Sequence, residues 1–210
     1  MIGGTLAGML AALGHEVALA NSRGPLSLRG FADRHPGVVP ASVPEAAAHA
    51  ELAVLAIPFG RYAELPAQAF SGRIVIDSTN YYPGRDGRFP TVDSGETSSS
   101  QLIADHLPGT RVVKAFNTIY YRQLATDRQP DAPPDRRRAI PIAGDDRDAK
   151  ESVASLISQL GFTPVDTGSL SGSVHLQPGS PLFNVAATEA QARQLLGLAR
   201  PANPAAGDTR

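Results

Sequence analysis

The sequence predicts an α/β protein, a doubly wound and mostly parallel sheet with helices between its strands. Three observations carry this. Short apolar runs alternate with stretches of helical periodicity from Ile2 to about Thr118. Two of the runs, LAVLAI (52–57) and IVI (74–76), are apolar at every position, the pattern of parallel strands covered on both faces. Each ends in turn chemistry, Pro58 after the first and Asp77-Ser78-Thr79-Asn80 after the second.

The elements follow in order. Ile2, Leu6, Met9, Leu10 and Leu13 stand at helical spacing, with Gly14 as the stop. EVALA (16–20) reads as a short buried strand, 26–34 as a helix and VVPA (38–41) as a strand. Pro44 to His49 forms a helical turn or two, before the two apolar strands. The run LAVLAI is expected at the centre of the sheet. A polar stretch from Tyr81 to Ser100 leads into a helix ending at His106, and 111–115 is the next strand. TDRQPDAPPDRRR is Pro-rich and charged and reads as a surface loop, with Arg136, Arg137 and Arg138 on its solvated face. AIPIAG (139–144) and FTPVDTG (162–168) are strands around a helix from Asp148 to Leu160, and a last helix lies within 182–198. Residues 200–210 are expected to be disordered.

Composition excludes several classes. Nineteen basic against twenty acidic residues leave a formal charge of -1, which points to neither nucleic acid nor an anionic membrane. No apolar run reaches the length of about 18 residues that spans a bilayer, and no signal peptide is visible. There is no cysteine, hence no disulfide and no thiolate site. The five histidines (His15, His35, His49, His106, His175) show no metal spacing and read as solvated, so no metal is expected. The default location is the cytoplasm.

Ile2-Gly3-Gly4-Thr5 fits the end of the dinucleotide fingerprint Gly-x-Gly-x-x-Gly, with Gly3 as its third glycine. Two glycines near a chain start are also compatible with plain flexibility. Asn21-Ser22-Arg23 begins 18 residues after Gly3, at the end of the second strand of the unit. An acidic residue in this slot bonds the ribose hydroxyls in NAD-specific proteins. An amide, a hydroxyl and a guanidinium suit a 2′-phosphate instead, and a solvated turn before Gly24-Pro25 is the bland alternative. In open parallel sheets ligands lie beyond the C-terminal ends of strands. Ile57, Pro58 and the segment Asp77 to Asn80 therefore border the expected site, although Asp77 also fits an Asx turn.

At these residues the chain resembles a known family. IGGTLAGMLAALGHEVALANSRGP, LAVLAIPFG, IVIDSTNYYPG and VVKAFNTI are similar to NADP-binding oxidoreductases related to coenzyme F420-dependent NADP reductase, a superfamily that also holds the oxidoreductase domains of the Steap metalloreductases. The resemblance covers residues 2 to about 120. It implies a Rossmann-type domain over 1–124 and a small C-terminal α/β extension of the same globule over 125–199. It implies NADPH as cofactor, held by Ile2, Gly3, Gly4, Asn21, Ser22, Arg23, Ile57, Pro58 and Asn80. It implies a conjugated small-molecule acceptor, with F420 the leading candidate, met by Asn80, Phe116, Asn117 and Thr118. Direct hydride transfer between stacked rings requires no catalytic acid or base. Lys114 reads either as part of this acceptor side or as a surface cation pointing away. A homodimer is left open.

Family members begin with a strand and an intact glycine loop, roughly ten residues more than this chain has. The expectation is therefore an N-terminally truncated fold, from a mis-assigned start. The strands at 16–20 and 52–57 should flank an unfilled slot, and NADPH should bind weakly to these 210 residues alone. Two other functions compete. One is a degenerate dinucleotide-binding or sensor protein without catalysis. The other, an S-adenosylmethionine methyltransferase, is disfavoured by Asn21-Ser22-Arg23, because those enzymes keep an acid there.

Overall fold

The computed structural model describes residues 1–199; the expectation for 200–210 lies outside the described residues. Seven strands form: β1 (Val17–Leu19), β2 (Val38–Pro40), β3 (Leu52–Leu55), β4 (Ile74–Asp77), β5 (Arg111–Lys114), β6 (Ala139–Gly144) and β7 (Thr163–Asp166). They make two ladders, a parallel pair β1-β2 and a five-stranded sheet in the order β3-β4-β5-β6-β7. All pairs are parallel except β5-β6. The fold is thus α/β with a mostly parallel sheet, as expected. No other strand among the described residues pairs with the remaining edge of β1 or β3.

Period-2 alternation explains the consecutive apolar residues of β4 (74–76) and of the middle of β5 (112–113). Ile74, Ile76 and Val113 pack on one face with Leu6 and Met9 of the first helix (Ile2–Ala12) and with Val153 and Ile157 of helix Arg147–Gln159. Val75 and Val112 face the opposite side, among Phe59, Phe70, Ile103 and Leu107. Both faces are covered, so neither can be polar. Because β6 pairs with β5 and its Ile140 and Ile142 share the first face, the sheet runs on past residue 125 without a break in its core.

Several expectations are corrected. β3 is an edge strand rather than a central one among the described residues: Ala53 and Leu55 are buried, but Leu52 and Val54 are half-buried and Ala56 is exposed. An apolar run records tolerance of burial, not how many neighbours a strand acquires. Residues 26–34 are not one helix. A 3₁₀ turn (Pro25–Leu28) precedes a single α-turn (Arg29–Ala32), the segment being entered through Gly24 at φ 82°. The polar stretch 81–100 holds two single-turn helices, Pro83–Asp86 and Pro90–Asp93, each started by a proline whose fixed φ suits the first helical position.

The triple arginine is not a uniformly solvated face. Arg136 is exposed, but Arg138 is 7% exposed, paired through Nη1 with Asp127 Oδ2 at 2.6 Å, and donates to the Val185 carbonyl. Arg137 donates to the carbonyls of Ala132 and Pro130. His35 and His106 are half-buried rather than solvated. His35 stacks on Phe31, and His106 contacts the Leu65 carbonyl at 2.9 Å. Among the described residues no helix is long and apolar enough to cross a membrane, and no group of three metal-ligating side chains comes together.

Candidate functional site

The C-terminal ends of β4 and β5 lie side by side, with Asp77 and Lys114 as register partners. Both side chains are buried, at 0% and 1% exposure, and Lys114 Nζ donates to Asp77 Oδ2 at 2.9 Å. The alternative of Lys114 as a surface cation is therefore corrected: in a sheet covered on both faces, pointing away from one face does not lead to water. Asp77 does close an Asx turn, since its Oδ1 accepts the Thr79 N–H at 2.8 Å. Its Oδ2 also accepts the Ser100 hydroxyl at 2.7 Å. Lys114 Nζ donates again, to the Thr79 carbonyl at 2.6 Å. Ser98, which caps helix Ser99–His106 by accepting the Gln101 N–H, brings Ser100 into reach.

The chain then presents Asn80. Its Nδ2 donates to the Asn117 carbonyl at 2.9 Å, and its Oδ1 accepts from Asn117 Nδ2 at 3.1 Å. Asn117 Nδ2 also donates to the Leu176 carbonyl at 2.7 Å. Both amide hydrogens of Asn117 are thereby used, which orients the amide and leaves its buried Oδ1 without a partner; Thr79 Oγ1 is buried and unpartnered as well. Phe116, just before, has φ 62° while fully buried. A left-handed phenylalanine costs of order 1–2 kcal/mol, tolerated where surrounding packing over-determines the conformation. This bend directs Asn117 toward Asn80.

A second group lies past β1. Asn21 Oδ1 accepts the Arg23 N–H at 2.8 Å, and the Asn21 amide contacts Ser27 Oγ. The turn is self-contained, and it leaves Ser22 and Arg23 exposed. At the start of the first helix, a Cβ on Gly3 would lie 3.0 Å from the Cβ of Ala56, just past β3. Glycine thus permits close approach of this helix end to the end of β3.

The expected residues therefore fall into separate groups. Ile2, Gly3 and Gly4 start the helix beside Ala56, with Ile57 half-buried and Pro58 exposed next in the chain. Asn80 and Asn117 are brought together directly. Phe116 and Thr118 are buried, at 0% and 3% exposure, Phe116 within the apolar core. No hydrogen bond or ion pair among the described residues links the Asn21–Arg23 turn to the Asn80–Asn117 pair. Lys114 and Asp77, as a pair, and Ser100 were missed as members of the site. The available signal was a charge at the last position of each of two apolar strands.

Beside Asn80, Arg85 donates to the Asn80 carbonyl at 2.6 Å and pairs with Asp86 at 2.8 Å. Burial alone would raise the Asp86 carboxyl, but hydrogen bonds from Arg85 and from the Tyr82 and Gly60 N–H groups outweigh it and hold the group below its usual range. Burial pushes the Tyr81 hydroxyl up, and that hydroxyl donates to Asp93 at 2.9 Å. Asp93 is held low by Arg88 first and then by Tyr81. The segment after Asn80 is thereby tied back by charged hydrogen bonds.

Chemically, the arrangement offers backbone N–H groups at a helix start, an exposed hydroxyl and guanidinium in a turn without an acid, and paired amides beside two unpartnered polar atoms. These suit the phosphates and the carboxamide of a nicotinamide dinucleotide. Residues 1–81 match the family model described as NADP oxidoreductase, coenzyme F420-dependent. The chain is 31% identical over 131 residues to Metalloreductase STEAP3 of Rattus norvegicus, covering 61% of this chain and 25% of that protein. It thus spans a quarter or less of the length of the curated relatives it matches. Among solved structures, hypothetical protein SMa0349 from Sinorhizobium meliloti is 35% identical, covering 89% of this chain and 90% of that one, with a TM-score of 0.75. A protein from Arthrobacter sp. FB24 described as a candidate F420-dependent NADP-reductase is 28% identical, covering 83% and 84%, with a TM-score of 0.69.

Proposed function

The chain belongs to the family of coenzyme F420-dependent NADP oxidoreductases, and from that premise we propose that it binds NADPH and passes a hydride to a conjugated small molecule, a deazaflavin of the F420 type before others. The observation that carries the cofactor choice is the turn after β1. Asn21 spends its amide on the turn itself, so Ser22 and Arg23 are free to face a ligand, and no carboxylate is present to repel a 2′-phosphate.

NADPH would supply the hydride. The residues of the chain bind, orient and exclude water. The N–H groups of Ile2, Gly3 and Gly4 at the helix start meet phosphate oxygens. Ser22 and Arg23 take the 2′-phosphate through charge-assisted hydrogen bonds. Ile57 and Pro58 form an apolar border. Asn80 and Asn117, with the Asn117 Oδ1 unpartnered, supply amide groups for the carboxamide end or for the acceptor.

The test uses the natural protein at the full length its gene encodes. Fluorescence titrations with NADPH and NADH should show NADPH bound about tenfold or more tightly. Equal affinity for the two overturns the cofactor assignment. NADPH oxidation is then followed with F420 and with a ferric chelate. Turnover with F420 and not with the chelate supports the acceptor proposed here. The reverse result assigns the chemistry that the metalloreductase relatives are named for.

A further inference from the structure

We infer that Asp77 and Lys114 are positioning residues: their buried ion pair grips the Thr79 peptide from both ends and thereby sets where Asn80 meets Asn117. The inference rests on the NADPH reading above and assigns that site a structural support.

Three features lead to it. Thr79 is held at both its backbone groups, its N–H by Asp77 Oδ1 at 2.8 Å and its carbonyl by Lys114 Nζ at 2.6 Å. The two charges also bind each other at 2.9 Å, and the Ser100 hydroxyl donates at 2.7 Å to the same Asp77 oxygen, Oδ2. The clamp is therefore closed on all sides by groups that are themselves buried. Second, a buried ion pair is a poor way to stabilise a sheet, because desolvation consumes most of the attraction and apolar side chains of similar volume hold strands together equally well. What an apolar pair cannot do is hold the backbone donor and the backbone acceptor of one residue at the same time. Third, two groups set next to the clamp have unspent polar capacity. Thr79 Oγ1 and Asn117 Oδ1 are both buried and unpartnered. A rigid peptide between Asp77 and Asn80 keeps them and the Asn80 amide in fixed relation, as a binding site for a planar ligand requires.

The pair touches no ligand itself, so the test separates position from stability. The natural full-length protein is compared with the double variant Asp77→Asn/Lys114→Met and with Ser100→Ala. The amide at 77 can still accept the Thr79 N–H and still bond Ser100, and no uncompensated charge remains. The grip on the Thr79 carbonyl is what goes. The expected result is a thermal midpoint within a few degrees of the parent, together with an NADPH Kd raised about tenfold. Ser100→Ala, which removes one bond to Asp77, should raise Kd about threefold while lowering the midpoint by a few degrees at most. Parent-like Kd in the folded double variant overturns the inference. Should the double variant not fold, Ser100→Ala decides, and a parent-like Kd there overturns it equally. A parent protein that binds no NADPH removes the functional reading itself, a result distinct from either.

Discussion

Asn80 and Asn117 exchange contacts across the ends of two neighbouring parallel strands: the Asn80 amide donates to the Asn117 carbonyl at 2.9 Å while the Asn117 amide donates to Asn80 Oδ1 at 3.1 Å. The pair joins the turn after β4 to the turn after β5. Through the Leu176 carbonyl it also joins both to the 3₁₀ turn Ser171–Leu176 that follows β7. Three loops thus converge on one side-chain amide.

Asn117→Ala should therefore cost more than a surface truncation. It leaves the buried Leu176 carbonyl and the Asn80 amide oxygen without donors, a penalty of about 1–3 kcal/mol. Asn117→Asp keeps the shape but sets an oxygen against the Leu176 carbonyl and should be at least as destabilising. Urea unfolding midpoints measure both. A change within about 0.5 kcal/mol, the range of ordinary surface substitutions, would show that Asn117 does not tie the loops.

Arg23→Ala should separate the two cofactors. A charge-assisted phosphate contact is worth roughly 1.5–3 kcal/mol, or about ten- to a hundredfold in affinity. The loss should fall on NADPH and leave NADH unchanged, because only the former carries the 2′-phosphate. Fold stability should not move, since Arg23 is exposed and its backbone N–H, not its side chain, holds the turn. Raising salt should weaken NADPH binding in the parent more than in the variant.

The order of strands and helices was legible because it rests on local periodicity, and the apolar runs at 52–57 and 74–76 do become strands. The apolar run of β3 by itself suggested a central strand, whereas its open edge among the described residues agrees with the expectation that the strands at 16–20 and 52–57 flank an unfilled slot. Asn80 and Asn117 were each recognisable as strand-end polar residues. Their pairing, across 37 positions, depends on the left-handed turn at Phe116, and a phenylalanine gives no local sign of that conformation. Lys114 was read by alternation, which fails once both faces of a sheet are buried. Arg138 was read by its neighbours in a charge run, whereas its environment is set by Asp127 and Val185.

The arginine run gives a paired test of that last point. Arg138→Ala leaves Asp127 without its partner and the Val185 carbonyl without a donor. The cost should be about 3 kcal/mol, the low end for a buried pair, because Asp127 keeps part of its hydration. Arg136→Ala, two residues earlier and exposed, should change stability by no more than about 0.5 kcal/mol. Chemical denaturation of the two variants side by side checks the contrast. Equal effects would mean that Arg138 is as solvated as its neighbour.

Asp86 links acid stability to the site. Its carboxyl lies below the ordinary value of about 3.9, because hydrogen bonds from Arg85 and the Tyr82 and Gly60 N–H groups outweigh the effect of burial. A carboxylate depressed in the folded state binds fewer protons there than in the unfolded chain around that value. Its stabilisation is therefore complete above about pH 4 and is lost as pH falls through the lower folded value. Asp93, held down by Arg88 and Tyr81, titrates in the same direction, so the contribution of Asp86 is read as the difference between the parent and Asp86→Asn. The variant should be less stable than the parent at pH 7, and the gap should close as pH is lowered below about 4. Affinity should follow stability here, because Arg85 uses one guanidinium for both Asp86 and the Asn80 carbonyl. With Asp86 neutral, Arg85 loses its anchor, Asn80 loses its restraint, and NADPH binding by the variant at pH 7 should weaken several-fold. A gap that persists unchanged to pH 3 would place the stabilising charge elsewhere.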